Sequence, residues 1–336
     1  MKFWLKIAVL VGVMGLLSLL VAFQAQAQAN LQDEAPPAEE ETPEPPSDGQ
    51  LINQALQDEI AAHQTDVPLF LFYEIRIDKI DYNSDQTEAA VWLAQIDRES
   101  GEVAAAEPAV AFARKYFDES GQPAWSITLP IEAEWQAMLE EAPEELLGAE
   151  ARDFLTPSTE VQPQAGTVYR GYRLPWTRGV SIRLTGSISH FLGYNSCDEA
   201  NCRYAYDFAN GTMFDLMAAK AGTIDRFYDE CSNGSESCSN YLVIKDTTTS
   251  PTTYQLYLHL ANNSIPSKFK VKGVPVQQGE YIGKADDTGY STGHHLHFHV
   301  HTNPNSYWGT SVDIRFDEVS VNGGAPRNCY EANKWP

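Results

Sequence analysis

The chain has 336 residues, and its 46 Asp+Glu against 23 Lys+Arg give a formal net charge of −23, which argues against a partner read through its phosphates, so no nucleic acid is expected. At 43% hydrophobic and 21% charged, with 22 Gly and 19 Pro, the composition excludes a wholly disordered or collagen-like chain. The length suggests about two domains.

Residues 1–29 open with Lys2 and Lys6, continue as an uncharged apolar run from Ile7 to Phe23 and end in Ala25-Gln26-Ala27. That is the pattern of a secretory signal peptide, and it makes the protein secreted, periplasmic or otherwise part of the cell envelope. If the run is not cleaved it serves as a membrane anchor, the one way in which a membrane enters this reading. Residues 30–50 are acidic and Pro-rich, with almost no apolar side chain, and read as an extended, disordered tether. Five cysteines suit an exported chain, because Cys197 with Cys202 and Cys231 with Cys238 can each close a small loop. Cys329 is left over, and no pair has the two-residue spacing of a thiolate zinc knuckle.

From Leu51 to Ile60 the apolar residues Leu51, Ile52, Ala55, Leu56 and Ile60 recur at helical spacing. The period then changes to two at Leu69, Leu71, Tyr73, Ile75 and Ile77, which predicts a half-buried strand. A second strand is expected over 89–96, ending in the turn Asp97-Arg98-Glu99-Ser100-Gly101, and a short strand over 125–129. Residues 109–117 fit either a helix or a strand, and 131–139 read as a helix. Together, residues 51–155 form a small α+β module. It has no histidine cluster, phosphate loop or nucleophile elbow, which leaves a structural, targeting or inhibitory role.

Pro157 and Pro163, among Ser, Thr and Gln, mark residues 156–166 as a linker. Beyond it, over 167–320, short apolar runs such as Tyr241-Leu242-Val243-Ile244 and Tyr254-Gln255-Leu256-Tyr257 alternate with turn residues. A mainly β, antiparallel domain follows, with residues 321–336 as a tail. Acidity is divided unevenly: residues 1–165 carry 8 Lys+Arg against 30 Asp+Glu, whereas 166–336 carry 15 against 16. The β-rich half is therefore the one an anionic surface repels least.

Seven of the eight histidines lie in that half. His295, His297, His299 and His301 occupy alternate positions, so on a strand they share one face and neighbouring imidazoles can converge on a point. Such a run suits metal binding or proton transfer. His299 and His301 read as solvated strand positions that could also touch ligands or substrate. Alternation turns His294 to the other face, and it is given no role.

The run Thr288-Gly289-Tyr290-Ser291-Thr292-Gly293-His294-His295-Leu296-His297-Phe298 resembles the turn and His-x-His strand of the lysostaphin-type, or LytM-domain, zinc metalloendopeptidases, which cut peptides of bacterial peptidoglycan. Val276, Gly279, Ile282 and Gly283, the segment Tyr257-Leu258-His259-Leu260, and Ala205-Tyr206-Asp207-Phe208-Ala209 resemble further motifs of that family in the same order. The resemblance covers roughly residues 171–301. It implies one Zn2+ per chain with Asp207 and His297 as ligands, and His259 and His295 as the unligated catalytic histidines. The family's first ligand, a histidine four positions before the aspartate, is here Arg203, a permanent cation that cannot coordinate zinc. Either His190 supplies the imidazole from an earlier turn, or the site is degenerate and the domain binds wall peptide or a partner without cutting.

In the first case three protein ligands leave an open position on tetrahedral zinc, the arrangement of a catalytic site. One of His259 and His295 is then the general base and the other stabilises the oxyanion. The function expected is an exported zinc metalloendopeptidase acting on peptidoglycan peptide. A wall-binding regulator and a secreted protease of Gly-rich proteins are the alternatives.

Overall fold

The computed structural model describes residues 45–65, 67, 69–155, 166–187 and 204–326. The expected signal segment, His190, Cys197, Cys202, Arg203 and Cys329 lie outside these residues, as does nearly all of the linker.

Helix α1 (Asp48–Ala62) starts inside the segment expected to be a tether. Its start is set by a capping box: Gln50 N–H donates to Ser47 Oγ (3.3 Å) and Ser47 N–H to Gln50 Oε1 (2.8 Å). Ile52 and Leu56, one turn apart, are its buried residues. The strand expected from Leu69 is first a helical turn, α2 (Leu69–Phe72), because Leu69 and Phe70 are both buried while Leu71 and Phe72 are exposed. Period-two burial cannot hold when adjacent residues share a side.

The strand proper is β1 (Tyr73–Tyr82), followed by β2 (Glu88–Asp97), β3 (Ala109–Phe117) and β4 (Pro123–Thr128), an antiparallel meander in sequence order. Residues 109–117 are thus a strand, paired on both sides. Helix α3 (Trp135–Glu141) closes the meander, with the Trp135 indole donating to the Val110 carbonyl at 2.7 Å. A short α4 (Ala149–Leu155) ends the module.

The second half contributes β5 (Tyr169–Tyr172), β6 (Arg183–Gly186), β7 (Tyr206–Ala209), β8 (Phe214–Met217), β9 (Gly222–Tyr228), β10 (Tyr241–Asp246), β11 (Thr253–Leu258), β12 (Pro275–Val276), β13 (Tyr281–Ala285), β14 (Leu296–His301) and β15 (Ile314–Phe316). Seven of them form one antiparallel sheet in the order β12-β9-β10-β11-β14-β7-β6, with β13-β8 and β15-β5 as separate pairs. The fold is therefore an α+β module followed by a mainly antiparallel β domain.

The seven-stranded sheet has two unlike faces. Leu296, Phe298 and Val300 of β14 enter a core with Tyr206, Phe208, Ile244, Tyr257 and Phe316. On the other face, Val243, Leu256, Leu258 and Trp308 are continuous with the core of the N-terminal module. The histidines of β14 alternate onto this second face, where Glu107 of the module meets His295 and His297 while Trp308 and Tyr254 of the β-rich half pack against His299 and His301. This overturns the solvated reading of His299 and His301, both of which are fully buried. Alternation correctly assigns their face, but strand spacing does not show that the Trp308 and Tyr254 rings lie against it.

Candidate metal centre and histidine pair

Strand pairing builds the first part of the site. β14 lies beside β7 with His297 directly opposite Asp207, the close placement of cross-strand neighbours. His297 Nδ1 stands 3.2 Å from Asp207 Oδ1, and both side chains are fully buried. On the far side of β7, Gly186 of β6 is the partner of Asp207, after an irregularity in register at Thr185. A Cβ at Gly186 would collide with the Asp207 carboxylate. Glycine here is therefore a cradle for that carboxylate.

His259 follows β11 directly and takes a left-handed backbone conformation (φ 61°), which costs a non-glycine residue free energy and is common where function fixes a side chain. Its Nδ1 lies 2.6 Å from the Thr288 carbonyl. His295 Nδ1 lies 2.9 Å from the Gly293 carbonyl and 3.1 Å from Ser291 Oγ. A carbonyl only accepts, so in both rings Nδ1 carries the hydrogen and Nε2 is the basic nitrogen when the ring is neutral. The two rings lie 4.5 Å apart between centroids. Their Nε2 atoms face the same carboxylate.

That carboxylate is Glu107, which comes from the N-terminal module, just ahead of β3. Its Oε1 is 3.2 Å from His259 Nε2 and 3.8 Å from His295 Nε2, and it is in direct contact with His297 Nδ1. Glu107 is buried. Residue order does not point to Glu107: nothing in the segment 103–108 resembles a ligand motif, and its partners lie 100 or more positions away. The only local signal is an acidic residue within the apolar stretch Val103-Ala104-Ala105-Ala106 and Pro108-Ala109-Val110.

The donor set fits a divalent cation. Donor atoms of Glu107, Asp207 and His297 lie within 4.8 Å of one another, and so do those of Glu107, His259 and His295. Nε2 of a neutral His259 and the Glu107 oxygen are both acceptors, and two buried acceptors at 3.2 Å need a proton or a cation between them. Mixed imidazole and carboxylate ligands suit zinc. Burial holds His259 below the usual imidazole pKa, aided by repulsion from His295. Burial acts on His295 and His297 in the same sense, but the Glu107 and Asp207 carboxylates outweigh it and raise both.

His299 stands behind His297. Its Nδ1 is 2.8 Å from His297 Nε2, so the ring of His297 is oriented from its outer nitrogen while Nδ1 faces the carboxylates. His301 is deeper still, stacked on Tyr254 at 5.5 Å, and burial lowers its pKa to about 3. It is a neutral packing residue. His294, given no role from alternation, pairs with Asp286 (Nδ1 to Oδ1, 2.7 Å), whose backbone N–H donates to the His259 carbonyl and whose carbonyl accepts from His295 N–H. Of the expected residues, Asp207, His297, His259 and His295 come together here, while His190 lies outside the described residues. Cys231 and Cys238 form a disulfide.

Residues 202–308 match the family model described as Peptidase family M23. Among solved structures, the chain is similar to the catalytic domain of the prophage-encoded M23 protein EnpA from Enterococcus faecalis. The two are 20% identical, over 41% of this chain and 93% of that one, with a TM-score of 0.31. It is also similar to the catalytic domain of the antimicrobial peptidase lysostaphin from Staphylococcus simulans, with 24% identity over 43% of this chain and 84% of that one and a TM-score of 0.25. A zinc containing peptidase from Vibrio cholerae is 16% identical over 76% of this chain and 60% of that one, with a TM-score of 0.24. No curated protein matches the chain.

Proposed function

From the premise that residues 202–308 are a region of the M23 peptidase family, we propose that the chain is an exported zinc metalloendopeptidase that hydrolyses peptide bonds of bacterial peptidoglycan. The observation that carries this reading is the convergence of Asp207, His297, His259 and His295 on one buried point. Asp207 and His297 would hold the zinc, with His190 as the third protein ligand. Zinc at such a site supplies a Lewis acid for the scissile carbonyl and acidifies the attacking water.

The chain's own residues supply the proton chemistry. Nε2 of His259 and of His295 both face the reacting point, and each is set in that tautomer by a carbonyl behind its Nδ1. One of these two imidazoles is the proton acceptor and the other the donor to the developing oxyanion and the leaving amine. Export is supported by the N-terminal sequence pattern and by the Cys231–Cys238 disulfide. A second reading, a wall-binding regulator with a non-catalytic site, is favoured by one residue, Arg203, at the family's first-ligand position.

Zinc analysis followed by digestion of isolated sacculi decides between them. It is run on the chain and on its Glu107→Ala form, since Glu107 stands at the reacting point. Stoichiometric zinc with release of peptide fragments is expected; zinc without digestion by either form favours a protease of other proteins, and no zinc the regulator. Asp207→Ala and His297→Ala should each lose zinc and cleavage together, whereas His295→Ala should keep zinc and lose cleavage. His190→Ala that keeps both would move the third ligand elsewhere.

A further inference from the structure

The loop that orients His259 and His295 closes on a cluster of unsatisfied ligand atoms. Thr288 and Gly293 supply the carbonyls behind Nδ1 of the two rings, and both belong to the loop 288–293. Asp286 and Asp287 stand at one end of that loop and His294 at the other. The ends meet in a bridge between Asp286 and His295, where His295 N–H donates to the Asp286 carbonyl (3.0 Å). Asp286 N–H in turn donates to the His259 carbonyl (2.7 Å). The backbone of Asp286 therefore ties both histidines to one neck.

Its side chain is in a different situation. Asp286 is fully buried, yet neither carboxylate oxygen has a hydrogen-bond partner, and the buried Nδ1 of His294 has none either. These three atoms lie together. His294 Nδ1 is 2.7 Å from Asp286 Oδ1, close but not aligned as a hydrogen bond, and 3.7 Å from Asp287 Oδ2. The other oxygen of Asp287 accepts the Gly234 N–H (2.9 Å) from the loop closed by the Cys231–Cys238 disulfide. Donor atoms of Asp286, Asp287 and His294 all lie within 4.8 Å of one another, and the set shares no residue with those around Glu107.

A buried carboxylate without a partner is costly. Burial and the adjoining Asp287 carboxylate both raise the pKa of Asp286. A shared proton would relieve the two carboxylates but leave the imidazole nitrogen unpaired, whereas a cation satisfies all three groups. Ligand atoms on tetrahedral zinc, with bonds of about 2.0–2.2 Å, stand roughly 3.3–3.6 Å apart, and the spacings of 2.7 and 3.7 Å bracket that value. The imidazole selects against calcium and magnesium, which take oxygen ligands. Side chains of Asp287 and His294 are 28% and 34% exposed, which leaves the ion a path of entry.

We propose that Asp286, Asp287 and His294 bind a second zinc ion, which clasps the neck of the loop carrying the Thr288 and Gly293 carbonyls. The ion takes no part in bond breaking. It fixes the two carbonyls and through them the rings of His259 and His295, so its three ligands are positioning residues. That consequence rests on the peptidase reading above; the binding of the ion does not.

The test counts zinc by atomic emission in the full chain after removal of metal, reloading with Zn2+ and desalting. Wild type retains two ions per chain, and the zinc that Asp207→Ala loses is one of them. His294→Ala and the nearly isosteric Asp286→Asn each retain one, and Asp207→Ala combined with His294→Ala retains none. The partly exposed His294 keeps the count informative if the Asp286 variant does not fold. In the Asp207→Ala chain, Zn2+ at about 100 times its dissociation constant raises Tm by roughly 5–10 °C, and adding His294→Ala abolishes that rise. On a quenched wall-peptide substrate, His294→Ala lowers kcat about tenfold at unchanged KM while the other zinc is retained.

One ion in wild type that Asp207→Ala loses, or two that both His294→Ala and Asp286→Asn retain, overturns the second site and leaves the peptidase standing. One ion that His294→Ala loses and Asp207→Ala retains supports the second site and overturns the peptidase centre. Two ions in wild type and one in His294→Ala, with equal kcat, overturn the clasp. Zinc absent from every chain overturns both readings.

Discussion

Replacing Gly186 with alanine adds one methyl group, and the structure says where it must go. The new Cβ would overlap the Asp207 carboxylate, lying 2.9 Å from its Cγ and 3.1 Å from its Cβ, closer than real side chains approach. Neither side can yield cheaply. Gly186 pairs with Asp207 in the β6–β7 ladder, and Asp207 is fully buried, with its Oδ1 aimed at His297 Nδ1. Relief comes from turning the carboxylate away from His297 or from spreading the two strands. Overpacking of this kind costs about 1–3 kcal/mol, a fall in Tm of roughly 3–10 °C for a folded unit of this size. A misdirected ligand weakens metal binding by at least the roughly 10–100-fold seen when a ligand's supporting partner is lost. Thermal melts of the zinc-free chain report the first effect, and competition with a calibrated chelator reports the second. Gly186→Ala with unchanged Tm and unchanged zinc affinity would refute both the cradle and the place of Asp207 in the site.

Further outcomes follow from other contacts. His299→Ala removes the partner of His297 Nε2 at 2.8 Å, and should weaken zinc binding roughly 10–100-fold while leaving stoichiometric uptake at high zinc; unchanged affinity would make His299 a packing residue only. Asp48→Asn breaks the ion pair to Lys115 (2.7 Å) and weakens the bond from the Trp125 indole (2.9 Å), and should destabilise the module by about 1–3 kcal/mol, read as a shifted denaturant midpoint. Those two hydrogen bonds, Lys115 first, hold the Asp48 carboxyl below its usual pKa. A carboxyl lowered in the folded state stabilises above its unfolded pKa of about 3.9 and loses that contribution as pH falls through the lower folded value. The difference between wild type and Asp48→Asn should therefore be full at neutral pH and shrink below about pH 4; a difference that persists in acid would assign the effect to packing.

Several features of this protein can be read from residue order alone, because their physics is local. Period-two spacing makes His295, His297, His299 and His301 share a face whatever the rest of the chain does. Ser47 and Gln50 carry a capping box three residues apart and so mark the start of α1, although the surrounding acidic and proline-rich composition points to a tether. Leu69 to Phe72 shows the limit: the same apolar pattern suits a strand or a helical turn, and burial of both Leu69 and Phe70 decides for the turn. Residues 109–117 are settled by pairing with β2 on one side and β4 on the other.

What tertiary structure alone decides is which side chains meet and what covers them. Asp207 and His297 are 90 positions apart and become opposite neighbours through the β7–β14 register. His299 and His301 are polar residues on a face that could as well be wet; Trp308 packs against the first and Tyr254 against the second, and both histidines are buried. Glu107 is the clearest case. Its distance along the chain from His259 is 152 positions, and no spacing rule links them. The carboxylate reaches the three imidazoles only because the meander of the first half packs on the histidine face of the second. Local sequence determines the direction in which a side chain points, through the geometry of the strand or turn that carries it. The partner at the end of that direction is set by how distant apolar faces are buried against each other.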